Sequence, residues 1–160
     1  MEQLETESAK KTHRYLIPAY KVSLVRDGSI KMDNRPQMRN ASDFYAVLKD
    51  WFLDRDRESF VVVMLNAKNK IIGINEVSTG SLSSSIVHPR EVFKPLILHN
   101  AAAVVLAHNH PSGDPKPSQE DIFITRRLRD AGDLLGIKVL DHIIVGDEQY
   151  TSFADNGYWD

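Results

Sequence analysis

Two short apolar runs constrain the fold of this chain more than any other feature of its sequence. The first is Ser59–Leu65 (SFVVVML), and the second is Ala101–Ala107 (AAAVVLA). Each has the length of a strand, and neither shows the alternation of polar and apolar residues that is typical of a half-exposed strand. Both runs therefore predict buried strands, and the first suits a strand that is covered on both faces.

Segments with helical and with strand patterns alternate around these two runs. Apolar residues at three- and four-residue spacing predict helices over 42–53, with Ser42 as N-cap, over 89–99, and over 118–135, before Gly136. β-type runs predict strands over 71–77 and 139–145, a returning strand over 150–153, and an edge strand or arm over 15–25. Helices thus interleave with strands, so the predicted fold class is α/β or α+β, with a mixed β-sheet flanked by helices.

The composition excludes several classes of protein. With 160 residues, of which 42% are apolar and 26% charged, the chain suits a single globular domain. It has no run of about 20 apolar residues and no signal-peptide pattern, so we expect a cytoplasmic protein that does not contact a membrane. It has no cysteine, so any metal ion must be bound by His, Asp or Glu.

The charge does not identify a partner. The net charge of −2 lacks the basic excess of a dedicated nucleic-acid binder. Arg126, Arg127 and Arg129 lie on one predicted helix, where they form either a solvated surface or a contact for DNA. The sequence does not determine an oligomeric state.

The segment HNHPSGDPKPSQED, over 108–121, carries the residues with the clearest chemistry. His108 and His110 lie two positions apart at the end of a predicted strand, so their side chains share one face. A proline- and glycine-rich loop follows, Ser118 then caps the next helix, and Asp121 lies in its first turn. Two imidazoles and one carboxylate can thus bind one ion and leave a position for water, as in a catalytic zinc site. Zinc lowers the pKa of such a water to about 7.

Each of these residues also has a simpler explanation. Two histidines can occur together in an exposed loop without binding metal, Ser118 can be only a helix cap, and Asp121 can be a carboxylate that the helix dipole favours. The same ligand set also permits a non-heme iron site.

The spacing of His108, His110, Ser118 and Asp121 matches the JAMM (MPN+) metalloprotease motif. The longer string HNHPSGDPKPSQED, with HPREVFK before it and LLGIKVLDHIIVG after it, resembles the bacterial RadC family from about Glu58 to Gly157. The resemblance implies a three-layer JAB/MPN fold, related to that of cytidine deaminases, over 58–160. An N-terminal strand and helix over 15–57 would pack on it, behind a flexible lead-in over 1–14. Relatives often carry a helix-hairpin-helix module ahead of this domain, and the residues before Tyr15 leave no room for one.

The resemblance also implies roles for individual residues. One Zn²⁺ would be bound by His108, His110 and Asp121, and Ser118 would help to stabilise a tetrahedral intermediate. The JAMM pattern requires an upstream Glu as general acid and base, and Glu58, directly before SFVVVML, fits that position best. Glu76 and Glu91 are the alternatives. Asp141 and His142, in LDHII, either support the metal ligands or have a structural role.

The resulting hypothesis is a zinc-dependent hydrolase that acts on a peptide or protein substrate. The alternative is a DNA-associated factor or nuclease, in keeping with the family's DNA-repair label, whose metal serves phosphodiester chemistry or stabilises the fold.

Overall fold

The computed structural model describes residues 17–29, 37–80 and 87–159. Within these residues the chain forms a mixed sheet with helices on both faces. The helices are α1 (Ala41–Phe52), α2 (Pro89–Leu98), α3 (Gln119–Leu135) and the short α4 (Phe153–Asn156). The strands are β1 (Ser59–Leu65), β2 (Ile71–Thr79), β3 (Ala103–Asn109), β4 (Lys138–Val145) and β5 (Tyr150–Ser152). None of the helices in the described ranges is long and apolar enough to cross a membrane.

The two apolar runs form the neighbouring strands β1 and β3 inside the sheet, whose order is β2-β1-β3-β4-β5. Every residue of β1 and of β3 is buried, because helices cover both faces. The pairing of β3 with β4 is parallel, and the other three pairings are antiparallel, so the sheet is mixed as predicted.

The alternation of side chains along the strands builds two separate cores. Phe60, Val62 and Leu106 face one side, where they pack with apolar residues of α2 and α3. Val61, Val63 and Val105 face the other side, where they pack with α1. The result is three layers with the sheet in the middle, which confirms the predicted architecture.

One local prediction was wrong. The N-cap of α1 is Asn40, whose side chain accepts a hydrogen bond from the Asp43 amide at 3.0 Å, whereas Ser42 lies inside the helix and donates to Asn40. For the segment predicted as an edge strand or an arm, the structure shows no strand over 17–25, and these residues are exposed. Residues 15–16 and the predicted lead-in over 1–14 lie outside the described residues.

Candidate metal centre

The predicted ligands lie where β3 ends and α3 begins. The strand pairing continues just beyond β3, since the His110 amide donates to the carbonyl of Val145 at 2.9 Å. The loop then folds tightly against the turn after β4. Gly113 has a φ of 87°, and a Cβ on Gly146 would lie only 2.3 Å from the Gly113 carbonyl oxygen. Both glycines are thus needed for the path that returns the chain from His110 to α3.

His108, His110 and Asp121 converge as the sequence predicted. The two Nε2 atoms are 3.0 Å apart, Asp121 Oδ1 is 3.3 Å from His108 Nε2, and Asp121 Oδ2 is 3.6 Å from His110 Nε2. His108 is fully buried, Asp121 is 7% exposed, and His110 is partly exposed, so the centre opens toward solvent on the His110 side.

These positions fit a metal ion. A tetrahedral ion with bonds of about 2.0–2.1 Å keeps its ligand atoms about 3.3–3.4 Å apart, close to the separations found here. The donor set also fits, because neutral imidazole and carboxylate are common ligands of zinc and of other transition metals. Within the described ranges, this is the one group of three His, Asp or Glu residues with ligand atoms close enough to hold an ion. The donors alone do not distinguish zinc from iron.

Hydrogen bonds fix the orientation of the His110 ring. Its Nδ1 lies 2.7 Å from the carbonyl oxygen of Asp114, and because a carbonyl can only accept, Nδ1 carries the proton. A neutral His110 therefore presents a lone pair on Nε2 to the centre, as a metal ligand requires. The neighbouring Asp121 carboxylate raises the pKa of His110, because it favours the protonated ring, against the effect of burial.

Ser118 and Asp121 form a reciprocal capping box at the start of α3. The Ser118 amide and hydroxyl both donate to Asp121 Oδ2 at 2.7 Å, and the Asp121 amide donates back to the hydroxyl at 3.1 Å. Burial raises the pKa of Asp121, but the neighbouring His108 and His110 rings and the hydrogen bond from Ser118 outweigh it and hold that pKa well below its usual range. The carboxylate is therefore ionised and aimed before any metal binds.

Glu58 lies beside the centre. Phe60 pairs with His108 across β1 and β3, so continuing this antiparallel register by two residues places Glu58 opposite His110 and on the same face. Its negative charge contributes to the raised pKa of His110. Asn109 holds the backbone on both sides of Glu58, because its Oδ1 accepts from the Ser59 amide at 2.7 Å and its Nδ2 donates to the Arg57 carbonyl at 3.0 Å.

The two alternative glutamates have other partners. Glu76 pairs with Val61, which faces the α1 side of the sheet, and its carboxylate lies 2.9 Å from the Arg55 guanidinium. Glu91 lies in the first turn of α2 and binds the Lys94 ammonium at 2.7 Å, and this hydrogen bond lowers the pKa of Glu91. Of the three glutamates, Glu58 is thus the one that the strand register places next to the predicted ligands.

The remaining residues singled out from the sequence divide between two roles. His142 is fully buried, and its Nε2 lies 2.8 Å from His108 Nδ1, so it contacts a predicted ligand directly. The Asp141 carboxylate points elsewhere, accepting from the Ser152 hydroxyl and from the amides of His142 and Ala154. Burial raises the pKa of Asp141.

The three arginines do not present one uniform face. Arg126 and Arg127 are exposed, whereas the Arg129 guanidinium lies 4.3 Å from the Trp159 ring centroid and donates to the Trp159 carbonyl at 2.6 Å. Arg129 therefore attaches the end of the described chain to α3.

Sequence reasoning missed two residues around the centre, Asn109 and Thr125. Asn109 stands between the two histidines, and Thr125 follows Asp121 by one helical turn. The sequence shows where these two residues stand. It does not show their hydrogen-bond partners on other elements, Ser59 for Asn109 and His142 for Thr125.

Comparisons with known proteins agree with this geometry. The family profile described as RadC-like JAB domain matches residues 38–158. A UPF0758 protein of Moorella thermoacetica is 57% identical over 122 residues, which cover 76% of this chain and 53% of that protein. A UPF0758 protein of Geotalea uraniireducens is 50% identical over 132 residues, or 82% of this chain and 58% of the relative. The chain thus spans a little over half the length of these curated relatives. Since the matched region contains the whole centre and most of the described fold, the chain belongs to the RadC-like JAB domain family.

Proposed function

We propose that this chain is a zinc-dependent hydrolase that cleaves a peptide or isopeptide bond in a protein substrate. The observation that carries the proposal is the convergence of His108, His110 and Asp121 at ligand spacing. The register of β1 and β3, continued to the residue just before β1, places Glu58 opposite His110. A zinc ion with three protein ligands can polarise a carbonyl and supply a nucleophile from water at neutral pH.

The chain's own residues would divide the remaining work. Glu58 would accept a proton from the attacking water and pass it to the leaving amine, the general acid-base role. Asp121 would bind the ion through Oδ1, since Oδ2 already accepts two hydrogen bonds from Ser118. Ser118 would therefore orient the ligand carboxylate. Its predicted contact with a tetrahedral intermediate would require the hydroxyl to leave Asp121.

Two measurements test the proposal. Elemental analysis of protein purified without chelators is expected to give about one zinc per chain. The Asp121→Ala variant is expected to lose both the metal and all turnover in a peptide and isopeptide library. A wild-type protein that neither retains nor takes up zinc would contradict the proposal, and iron in its place would correct the metal.

Matched glutamate variants test the assignment of the base. Glu58→Gln is expected to keep its metal and to lose turnover by about 100-fold or more, because general acid-base catalysis contributes about 10²–10⁴-fold. Glu76→Gln is the control, since that side chain pairs with Arg55 on the opposite face of the sheet. Loss of turnover in Glu76→Gln, with full activity in Glu58→Gln, would show that the assignment is wrong.

A further inference from the structure

A buried chain of hydrogen bonds connects two of the predicted ligands from behind. It runs from the backbone carbonyl of Asp121 to the Thr125 hydroxyl at 2.6 Å, from that hydroxyl to His142 Nδ1 at 2.5 Å, and from His142 Nε2 to His108 Nδ1 at 2.8 Å. Thr125 is 1% exposed, and both histidines are fully buried. The donors and acceptors of this series of hydrogen bonds are therefore supplied by its own residues and not by solvent.

The direction of every hydrogen bond in this chain follows from counting protons. A carbonyl oxygen can only accept, so the single hydroxyl proton of Thr125 goes to Asp121. The hydroxyl oxygen must then accept from His142, which places the proton of that ring on Nδ1. The Nε2 of a neutral His142 is an acceptor, so His108 carries its proton on Nδ1. His108 is left with a lone pair on Nε2, the atom that faces His110 and Asp121.

The surroundings of His142 favour its neutral form. Its ring stacks on Phe153 at 4.8 Å between centroids and lies edge-on to Phe60 at 5.5 Å. Neither aromatic ring neutralises a positive charge, and a charged imidazole at this depth would lose its hydration. Both ring nitrogens of His142 already have hydrogen-bond partners, Thr125 and His108, so the ring needs no water molecule.

We propose that Thr125 is a positioning residue that acts through His142 to hold His108 in the one tautomer able to bind a metal ion. The inference rests on the metal site of the proposed function, but it does not depend on the reaction that the metal serves. A hydroxyl at this position supplies both an acceptor for His142 and a donor for the helix. Valine has the same shape and supplies neither.

The zinc affinity of the 160-residue protein, measured by competition with a chromophoric chelator, tests this inference. Thr125→Val is expected to bind zinc about 10–100-fold more weakly than wild type, the usual effect of disturbing the hydrogen bonds that orient a ligating histidine. Thr125→Ser, which retains the hydroxyl, is expected to remain close to wild type. Ser152→Ala is the matched structural control, because it removes a buried hydroxyl from Asp141 and leaves the chain intact.

Nitrogen-15 spectra of the histidine rings in the metal-free protein provide a readout that a merely structural role would not change. Wild type is expected to carry the protons of His108 and His142 on Nδ1, and Thr125→Val to move the His142 proton to Nε2. Equal zinc affinity in wild type and Thr125→Val, or a wild-type His142 protonated on Nε2, would overturn the inference. A wild-type protein that binds no zinc but shows both Nδ1 tautomers would instead refute the proposed function.

Discussion

Replacing Asn109 by alanine tests how firmly the start of β1 is attached to the centre. The Asn109 side chain accepts the Ser59 amide at 2.7 Å, and Ser59 is completely buried, so this amide would lose its only side-chain partner where water does not reach. A buried donor without a partner costs about 1–3 kcal/mol. The second hydrogen bond, to the carbonyl of exposed Arg57, is replaced by water and adds little. We expect the free energy of unfolding to fall by about 2 kcal/mol, the middle of this range.

Urea unfolding of the metal-free protein, followed by far-UV circular dichroism, measures this loss. With a slope of about 2 kcal/mol per M, the midpoint should fall by about 1 M or slightly more. Asn66→Ala is the matched control, since the Asn66 side chain likewise makes two hydrogen bonds to the backbone. It accepts both from exposed amides in a turn, those of Lys68 and Lys70. This variant should cost less than about 1 kcal/mol, because water replaces the side chain. Equal losses in the two variants would refute the reasoning from burial.

Three further changes have expected outcomes. Since burial raises the folded-state pKa of Asp141, the stability of wild type relative to Asp141→Asn should decrease as the pH rises above about 4, which urea midpoints across a pH series would show. Gly132→Ala should lower the melting temperature, although alanine usually stabilises a helix by about 1 kcal/mol, because its Cβ would lie 2.5 Å from the Ile137 carbonyl oxygen. Leu48→Ala, at a fully buried site on α1, should cost about 2–5 kcal/mol in chemical unfolding, and a cost near zero would show that α1 is not part of the cooperative core.

The sequence predicted best those features whose residues lie close together along the chain. The strand end, the proline-rich loop and the first turn of α3 form one continuous segment, over 108–121, so spacing alone brought the three ligands together. The cap at Ser118 and the helix end at Gly136, with a φ of 71°, follow equally local rules. Local chemistry of this kind can be read without knowing the rest of the fold.

Two local patterns were insufficient for physical reasons. Asn40 and Ser42 are both good capping residues two positions apart, and the sequence does not indicate which amide each will meet. The apolar alternation over 17–25 is typical of a strand, but a strand also needs a partner, and strand propensity describes the fit to a sheet surface rather than the presence of a neighbour.

The surroundings of the ligands required the fold. Thr125 and His142 are 17 residues apart and meet because α3 packs on β4, and Asn109 meets Ser59 across 50 residues because β1 pairs with β3. Neither the types of these residues nor their spacing in the sequence forms a recognisable motif. Their importance comes from hydrogen bonds whose partners lie on different elements, which no pattern in a single segment can show.

The antiparallel register of β1 and β3 finally connects the fold to the chemistry. It brings the start of one strand beside the end of the other, and therefore Glu58 beside His110. Because side chains alternate along a strand, a slip of one residue would turn Glu58 away from the ligands and would also move Phe60 out of the core that α2 and α3 cover. The same apolar contacts that hold the sheet together thus fix which carboxylate faces the centre. Under the proposed function, the choice of Glu58 over Glu76 and Glu91 is in this sense a consequence of core packing.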